Sequence, residues 1–246
     1  MPVYFIQSES VQNNRIILTG DLAHHLRDVL RFEAGDTIEL VDEKQGRYRT
    51  ELTLVTKQKI VANILQKVEK PIPSEPSIFL AQAVLKSDKM DWVIQKATEL
   101  GVNTILPVVT ERTIARPRVE REAHQIDRWQ KIAKEASQQC GRSDIPAVRT
   151  MVSLDALLKN PPDVSLKLVP WEREQEPSLK AVLQNLEDEN SVMILIGPEG
   201  GFAASEVEKA RNAGWISVSL GPRILRAETA GLAVLAILQY ELETRR

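Results

Sequence analysis

The chain has 246 residues, 43% of them hydrophobic, enough to bury one large core or two modest ones. Its net charge of −2 is not the basic excess of a dedicated nucleic-acid-binding domain, and no apolar run approaches the ~18 residues that suggest a membrane span. A single cysteine, Cys140, excludes an internal disulfide and a cysteine metal cluster, and His24, His25 and His124 lack ligand spacing, so no metal is expected.

Met1 to Gln7 lacks the basic segment and apolar stretch of a secretory signal, and a cytoplasmic location is expected. Asp21 to Arg31 reads as a short helix with Leu22, Leu26, Val29 and Leu30 inward and His25, Arg27 and Arg31 outward. Thr37 to Val41 and Tyr48 to Val55 alternate as strands of a small β-rich domain over residues 1–70. Pro71, Pro73 and Pro76 can continue neither a helix nor a central strand, which marks 71–77 as a linker.

From residue 78 to 246 strands and helices alternate, the pattern of an α/β domain with a largely parallel sheet. Strands are expected at Ile78 to Val84, Thr104 to Val109, Leu166 to Val169, Val192 to Ile196 and Ile216 to Leu220. Helices are expected near Lys89 to Leu100, Glu122 to Gln139, Leu179 to Leu186, Ser205 to Ala213 and Ala227 to Glu243. Gly101 and Gly214 stand where helices should stop, and Ser205 with Glu208 has the spacing of a capping box. Arg112, Arg116, Arg118, Arg121 and Arg128 gather before and within the second helix, interleaved with Glu120, Glu122 and Asp127. This is a solvated face or a phosphate-contacting surface.

Two glycine-bearing loops follow expected strands: Gly197-Pro198-Glu199-Gly200-Gly201 and Gly221-Pro222-Arg223-Ile224-Leu225-Arg226. Loops at the carboxyl ends of neighbouring strands form the ligand crevice of open α/β sheets. Neither phosphate-binding glycine fingerprint is present, and Glu199 would repel a phosphate. The ligand suited to such loops is neutral or cationic at the contact, with a flat heteroaromatic part; an adenosine carrying a sulfonium fits.

The chain resembles the RsmE-type 16S ribosomal RNA uridine-N3 methyltransferases of the SPOUT class. The resemblance is carried by Ile196 to Phe202, Leu220 to Ala230, Met90 to Gly101, Gln138 to Arg142, and His24 to Arg31 with Gly35 and Asp36. It implies an N-terminal PUA-like RNA-binding β-barrel and a SPOUT domain whose C-terminal segment passes through a trefoil knot. It further implies a homodimer acting on 16S ribosomal RNA, on the assembled 30S subunit, with S-adenosylmethionine as cofactor. Ile196, Gly197, Pro198, Glu199, Gly200, Gly201, Leu220, Gly221, Ile224 and Leu225 would line the cofactor pocket, and Pro170 is a further candidate wall.

Methylation at uracil N3 calls for a deprotonated ring held in line with the methyl carbon. Arg223 and Arg226 are candidates for stabilising the anion, since guanidinium stays protonated. Glu199 or Glu228 would serve as base if burial raised its pKa, or else as an ion-pair partner; deprotonation by water is left open. Cys140 reads as structural, because methylation on nitrogen needs no thiol adduct. Candidate RNA contacts are Arg27 and Arg31, one helical turn apart, with Arg112, Arg116, Gln139 and Arg142. The competing readings are another SPOUT RNA methyltransferase, a non-catalytic RNA-binding or ribosome-assembly protein, and a nicotinamide-dependent oxidoreductase. The last lacks the dinucleotide fingerprint.

Overall fold

The computed structural model describes residues 2–68, 77–86, 88–114, 119–184 and 191–243. Two compact units emerge. The first comprises Met1–Pro73 with Ser137–Ile145, and the second comprises Ser74–Ala136 with Pro146–Arg246. The expected linker, apart from Ser77, and the candidate Arg116 lie outside the described residues.

In the first unit, alternation of buried and exposed residues builds six strands: β1 (Val3–Ile6), β2 (Val11–Gln12), β3 (Arg15–Leu18), β4 (Thr37–Asp42), β5 (Arg47–Val55) and β6 (Ile60–Val68). They pair in the order β1-β4-β5-β6-β3-β2, with β1 parallel to β4 and the other pairs antiparallel. Among the described residues the ladder runs as one continuous path from β1 to β2. Ile16, Leu18, Ile38, Leu40, Leu52 and Ile60 form the centre of its core.

The expected helix at Asp21 to Arg31 is shorter and changes pitch. An α-helical turn, α1 (Gly20–His24), runs into a single π turn at His25–Val29. Ala23 and Leu26 are buried as the period demands, but the wider turn rotates the residues beyond them, leaving Val29 58% and Leu30 42% exposed. Phe32 packs in their stead, edge-on to Tyr4 with ring centroids 6.1 Å apart. Arg31 lies beyond the helix at φ 58°, so it does not share a helical face with Arg27.

The second unit is built on a sheet whose pairings are all parallel. Its elements are β7 (Ser77–Ala83), α2 (Asp88–Glu99), β8 (Thr104–Val109), α3 (Val119–Cys140), β9 (Ala147–Val148), β10 (Val152–Ser153), α4 (Leu154–Lys159), β11 (Leu166–Pro170), α5 (Leu179–Gln184), β12 (Ser191–Ile196), α6 (Ala204–Asn212), β13 (Ile216–Val218) and α7 (Ala227–Glu243). The strand order is β10-β8-β7-β12-β11-β13, with β9 also on β8. The five strands and five helices expected from periodicity are present within a few residues; β9, β10 and α4 are additions. Helix α3 belongs to this unit as far as Ala136, and its last turn with the residues to Ile145 belongs to the first.

The strand order places β12, the last but one strand in sequence, between β7 and β11. Consequently the carboxyl ends of β12, β11 and β13 are neighbours, and the loops leaving them converge. Helix α7 packs on α2, burying Val234, Leu235 and Leu238 alongside Met90, Val93, Ile94 and Ala97.

Candidate active site

Val192 to Ile196 are all buried, as a central strand covered on both faces requires. The chain leaves this strand at Gly197 and closes a turn in which the Gly201 N–H donates to the Pro198 carbonyl at 2.9 Å. Gly201 sits at φ 65°, and a Cβ there would stand 3.0 Å from Glu172 Oε1. At Gly197 the obstacle is a ring, since a Cβ would come within 3.1 Å of the buried Phe202. Backbone conformation restricts the first position to glycine and packing restricts the second.

The helix after this loop is capped two residues earlier than the Ser205–Glu208 spacing suggests. Helix α6 starts at Ala204, and the buried Glu206 carboxylate accepts from the Ala203 N–H at 2.9 Å. Its other oxygen accepts from the Glu111 N–H at 2.8 Å, tying the first glycine loop to the segment after β8. From that segment Arg112 donates through Nη1 to the Gly200 carbonyl at 2.9 Å. Arg112, an RNA candidate on sequence grounds, is thus part of the support of the first loop.

The edge of the sheet under the second loop is held by charge. Pro170 pairs with Val218, and the Trp171 N–H donates to the Val218 carbonyl at 3.1 Å. Glu174 accepts from the Ser217 hydroxyl and from Arg211 at 2.5 Å. Burial opposes ionisation of Glu174, but the Ser217 hydroxyl and the Arg211 guanidinium outweigh it and hold the carboxyl below its ordinary value. The same guanidinium lies 5.7 Å from the ring centroid of Trp171, within cation–π reach.

Together the three strand ends enclose a cavity of about 540 Å³, a size typical of small-molecule and cofactor sites. All ten residues expected to hold a cofactor line it: Ile196, Gly197, Pro198, Glu199, Gly200, Gly201, Leu220, Gly221, Ile224 and Leu225. Ile224, expected as a wall, is 80% exposed and forms part of the rim. Pro170, Arg223, Arg226 and Glu228 also line the cavity, joined by residues that the sequence does not assign to the site, among them Lys89, Trp171, Glu172 and Phe202. One signal for Lys89 was present, its place immediately before the Met90 to Gly101 segment that carries the family resemblance.

Glu228 does not have the raised pKa that a neutral-pH base would need. Burial pushes its pKa up, but its own backbone N–H, the Lys89 ammonium 3.2 Å away and the charge of Arg226 prevail, and it titrates below its ordinary value. It is an ion-pair partner, the second of the two roles the sequence left open, and its partner is a lysine. Glu199 is exposed and accepts from the Lys86 N–H at 3.2 Å.

Of the RNA candidates in the first unit, Arg27 and Arg142 are both engaged within the protein. Arg27 donates from Nε to Asp28 at 2.8 Å and from Nη1 to the Thr56 carbonyl at 2.8 Å. Arg142 pairs with Asp144 at 2.7 Å, while Arg31 and Gln139 are exposed. Gly141, at φ 81°, turns the chain after α3, and the exposed Cys140 thiol donates to the Ser137 carbonyl at 3.6 Å. Among the described residues no cluster of His, Cys, Asp and Glu could hold a metal, and no helix is long and apolar enough to cross a membrane.

This α/β unit with a cofactor-sized cavity at its strand ends matches the RNA methyltransferase domain over residues 73–239, and residues 18–65 match the RNA methyltransferase PUA domain. The chain is 31% identical to the ribosomal RNA small subunit methyltransferase E of Bacillus subtilis, covering 100% of this chain and 99% of that protein. Among solved structures, ribosomal RNA small subunit methyltransferase E from Neisseria gonorrhoeae, bound to S-adenosyl methionine, superposes with a TM-score of 0.85 at 32% identity, covering 98% of this chain and 97% of that one. A putative methyltransferase from Legionella pneumophila in complex with the same cofactor gives 0.85 at 31% identity over 97% and 96%. The chain belongs to the ribosomal RNA small subunit methyltransferase E family.

Proposed function

We propose that this protein transfers a methyl group from S-adenosylmethionine to N3 of a uridine in 16S ribosomal RNA, on the assembled 30S subunit, yielding 3-methyluridine. The observation that carries the reading is the convergence of both glycine loops with the Pro170–Glu172 strand end on one cavity. The lining fits the cofactor. Peptide groups at Gly197, Gly200, Gly201 and Gly221 give backbone donors and acceptors for an adenine edge, while Trp171, Ile196, Leu220 and Leu225 supply apolar wall. Glu172 and Glu199 suit a cationic ligand and would repel a phosphate.

S-adenosylmethionine supplies an electrophilic methyl carbon on a sulfonium. The protein's own work is to bind it, to exclude water and to favour the uracil anion. Arg223 and Arg226, at the cavity and permanently charged, stabilise that anion or grip a flanking phosphate. Glu199 and Glu228 remain in the site as charged partners. The first unit serves RNA binding through Arg27, Arg31, Gln139 and Arg142, with Arg116 as a contact from the other unit, while Arg112 supports the first loop. On this reading residues 1–70 are the PUA-like domain, 71–77 the linker and 78–246 a SPOUT domain. In that domain the second loop and α7 complete a trefoil knot. Exposed Ile237 on α7 and Trp92 on α2, which packs against it, support a homodimer across these helices. The cytoplasm is where a 30S substrate is met.

The test is transfer of labelled methyl from S-adenosylmethionine to purified 30S subunits lacking the modification, beside naked 16S RNA. Label in the RNA of the 30S sample supports the reading. Cofactor binding without label in either sample overturns it.

A further inference from the structure

One ion pair in the cavity is not explained by cofactor binding. Lys89, in the first turn of α2, places Nζ 3.2 Å from Oε1 and 3.5 Å from Oε2 of Glu228, in the first turn of α7. The lysine side chain keeps 36% of its surface and the carboxylate 13%, so the ammonium is the more open partner in a cavity both residues line. Two helix N-termini meet at this pair, each presenting the positive end of a helix dipole. Arg226 adds a charge that Glu228 feels.

Arg223 of the second loop, Glu199 of the first and Glu172 after β11 share the cavity. On α2 itself stand Asp88 and Asp91, and Asp91 is occupied by Arg128 and by Trp129 Nε1 at 3.1 Å. Glu228 serves Lys89, Arg226 and two helix N-termini together, and it is the carboxylate in direct contact with the ammonium.

Uracil N3 cannot act as a nucleophile while it carries its proton. Loss of that proton spreads negative charge over N3 and the two flanking carbonyl oxygens. We propose that Lys89, held at the cavity by Glu228, stabilises this anion by donating a hydrogen bond to a carbonyl oxygen of the acceptor base. The N3 proton passes to solvent, Lys89 keeps its own three protons, and Glu228 stays ionised as counter-ion. A carboxylate titrating below its ordinary value is a weak proton acceptor at neutral pH, which suits that division of labour. The inference rests on the N3-uridine reading above.

The experiment measures pH–rate profiles of methyl transfer to 30S subunits for the wild type, Lys89→Met, Lys89→Arg and Glu228→Gln, with calorimetric titration of S-adenosylmethionine into each protein. Lys89→Met should move the ascending limb upward by about one pH unit, a tenfold loss at neutral pH, with cofactor affinity within about twofold of wild type. Lys89→Arg should restore most of the midpoint, because the charge is retained. Glu228→Gln should lower the rate yet keep the ascending limb. An unshifted midpoint in Lys89→Met would reduce Lys89 to a structural role, and loss of the ascending limb in Glu228→Gln would make the carboxylate the base; either result overturns the proposal. The glutamine variant decides alone if Lys89→Met does not fold. Nucleoside analysis of the wild-type product separates the two levels: a product other than 3-methyluridine fails the underlying reading whatever the profiles show.

Discussion

Arg112 Nη1 lies 2.9 Å from the carbonyl oxygen of Gly200, so one guanidinium joins the segment after β8 to the first glycine loop. A Cβ at Gly200 would touch the same side chain at 3.5 Å. Arg112→Ala should weaken S-adenosylmethionine binding by roughly three- to tenfold, the scale of one hydrogen bond. The salt dependence of RNA binding should be nearly unchanged. Calorimetry and a salt series check this, and the reverse pattern would return Arg112 to RNA contact.

Glu206 joins the same two segments from below, accepting from the Ala203 and Glu111 backbone N–H groups while buried. Glu206→Ala leaves both donors without their acceptor and should cost about 2–4 kcal/mol in urea unfolding. Glu206→Gln, which keeps one acceptor oxygen but no charge, should cost less.

Gly201 and Gly214 form a matched pair for separating strain from site geometry. Both have positive φ, 65° and 81°, but only Gly201 has Glu172 at its would-be Cβ; Gly214 has nothing within 4 Å. Each alanine variant should lose about 1–2 kcal/mol from the left-handed backbone. Gly201→Ala alone should also lose cofactor affinity, by about tenfold or more, since Glu172 must move. Equal affinities in the two variants would mean that Glu172 and Gly201 do not shape the binding site.

Much of this architecture was legible in the residues. Val192 to Ile196 followed by glycine is a continuous apolar run that reads as a central parallel strand, and the cavity forms where it ends beside β13, which stops at Val218, two residues short of the expected Leu220. Elements that escaped notice are those whose signal is shorter than a period. Two-residue strands such as β9 and β10 exist because β8 offers them an edge, and no local pattern encodes them. The rotation of Val29 and Leu30 into solvent comes from one π turn, invisible to a 3.6-residue count. The α6 cap was misplaced because Ser205 has the usual chemistry, whereas Glu206 closes the turn on an alanine N–H and is held there by Glu111, far away in sequence. Lys89 was missed for a related reason, since its partner Glu228 lies 139 residues further on.

Glu174 predicts a pH dependence of stability. Its pKa is lower in the folded protein than the ordinary 4.5, so its contribution is present above that value and lost as pH falls through the lower folded value. Thermal melts between about pH 3 and 7 should therefore fall on the acid side for the wild type. Glu174→Gln should be less stable at neutral pH and show a shallower acid decline, with Glu228, shifted in the same direction, accounting for part of what remains. An unaltered slope would mean that the Arg211–Glu174–Ser217 cluster does not hold the sheet edge.

The most direct test of the account is nucleoside mass spectrometry of 16S RNA recovered from 30S subunits after incubation with the protein and S-adenosylmethionine, using subunits from cells without the endogenous activity. The account predicts one new nucleoside, 3-methyluridine, absent when cofactor or protein is withheld. A methyl group found on ribose, on carbon 5 or on another base would contradict it.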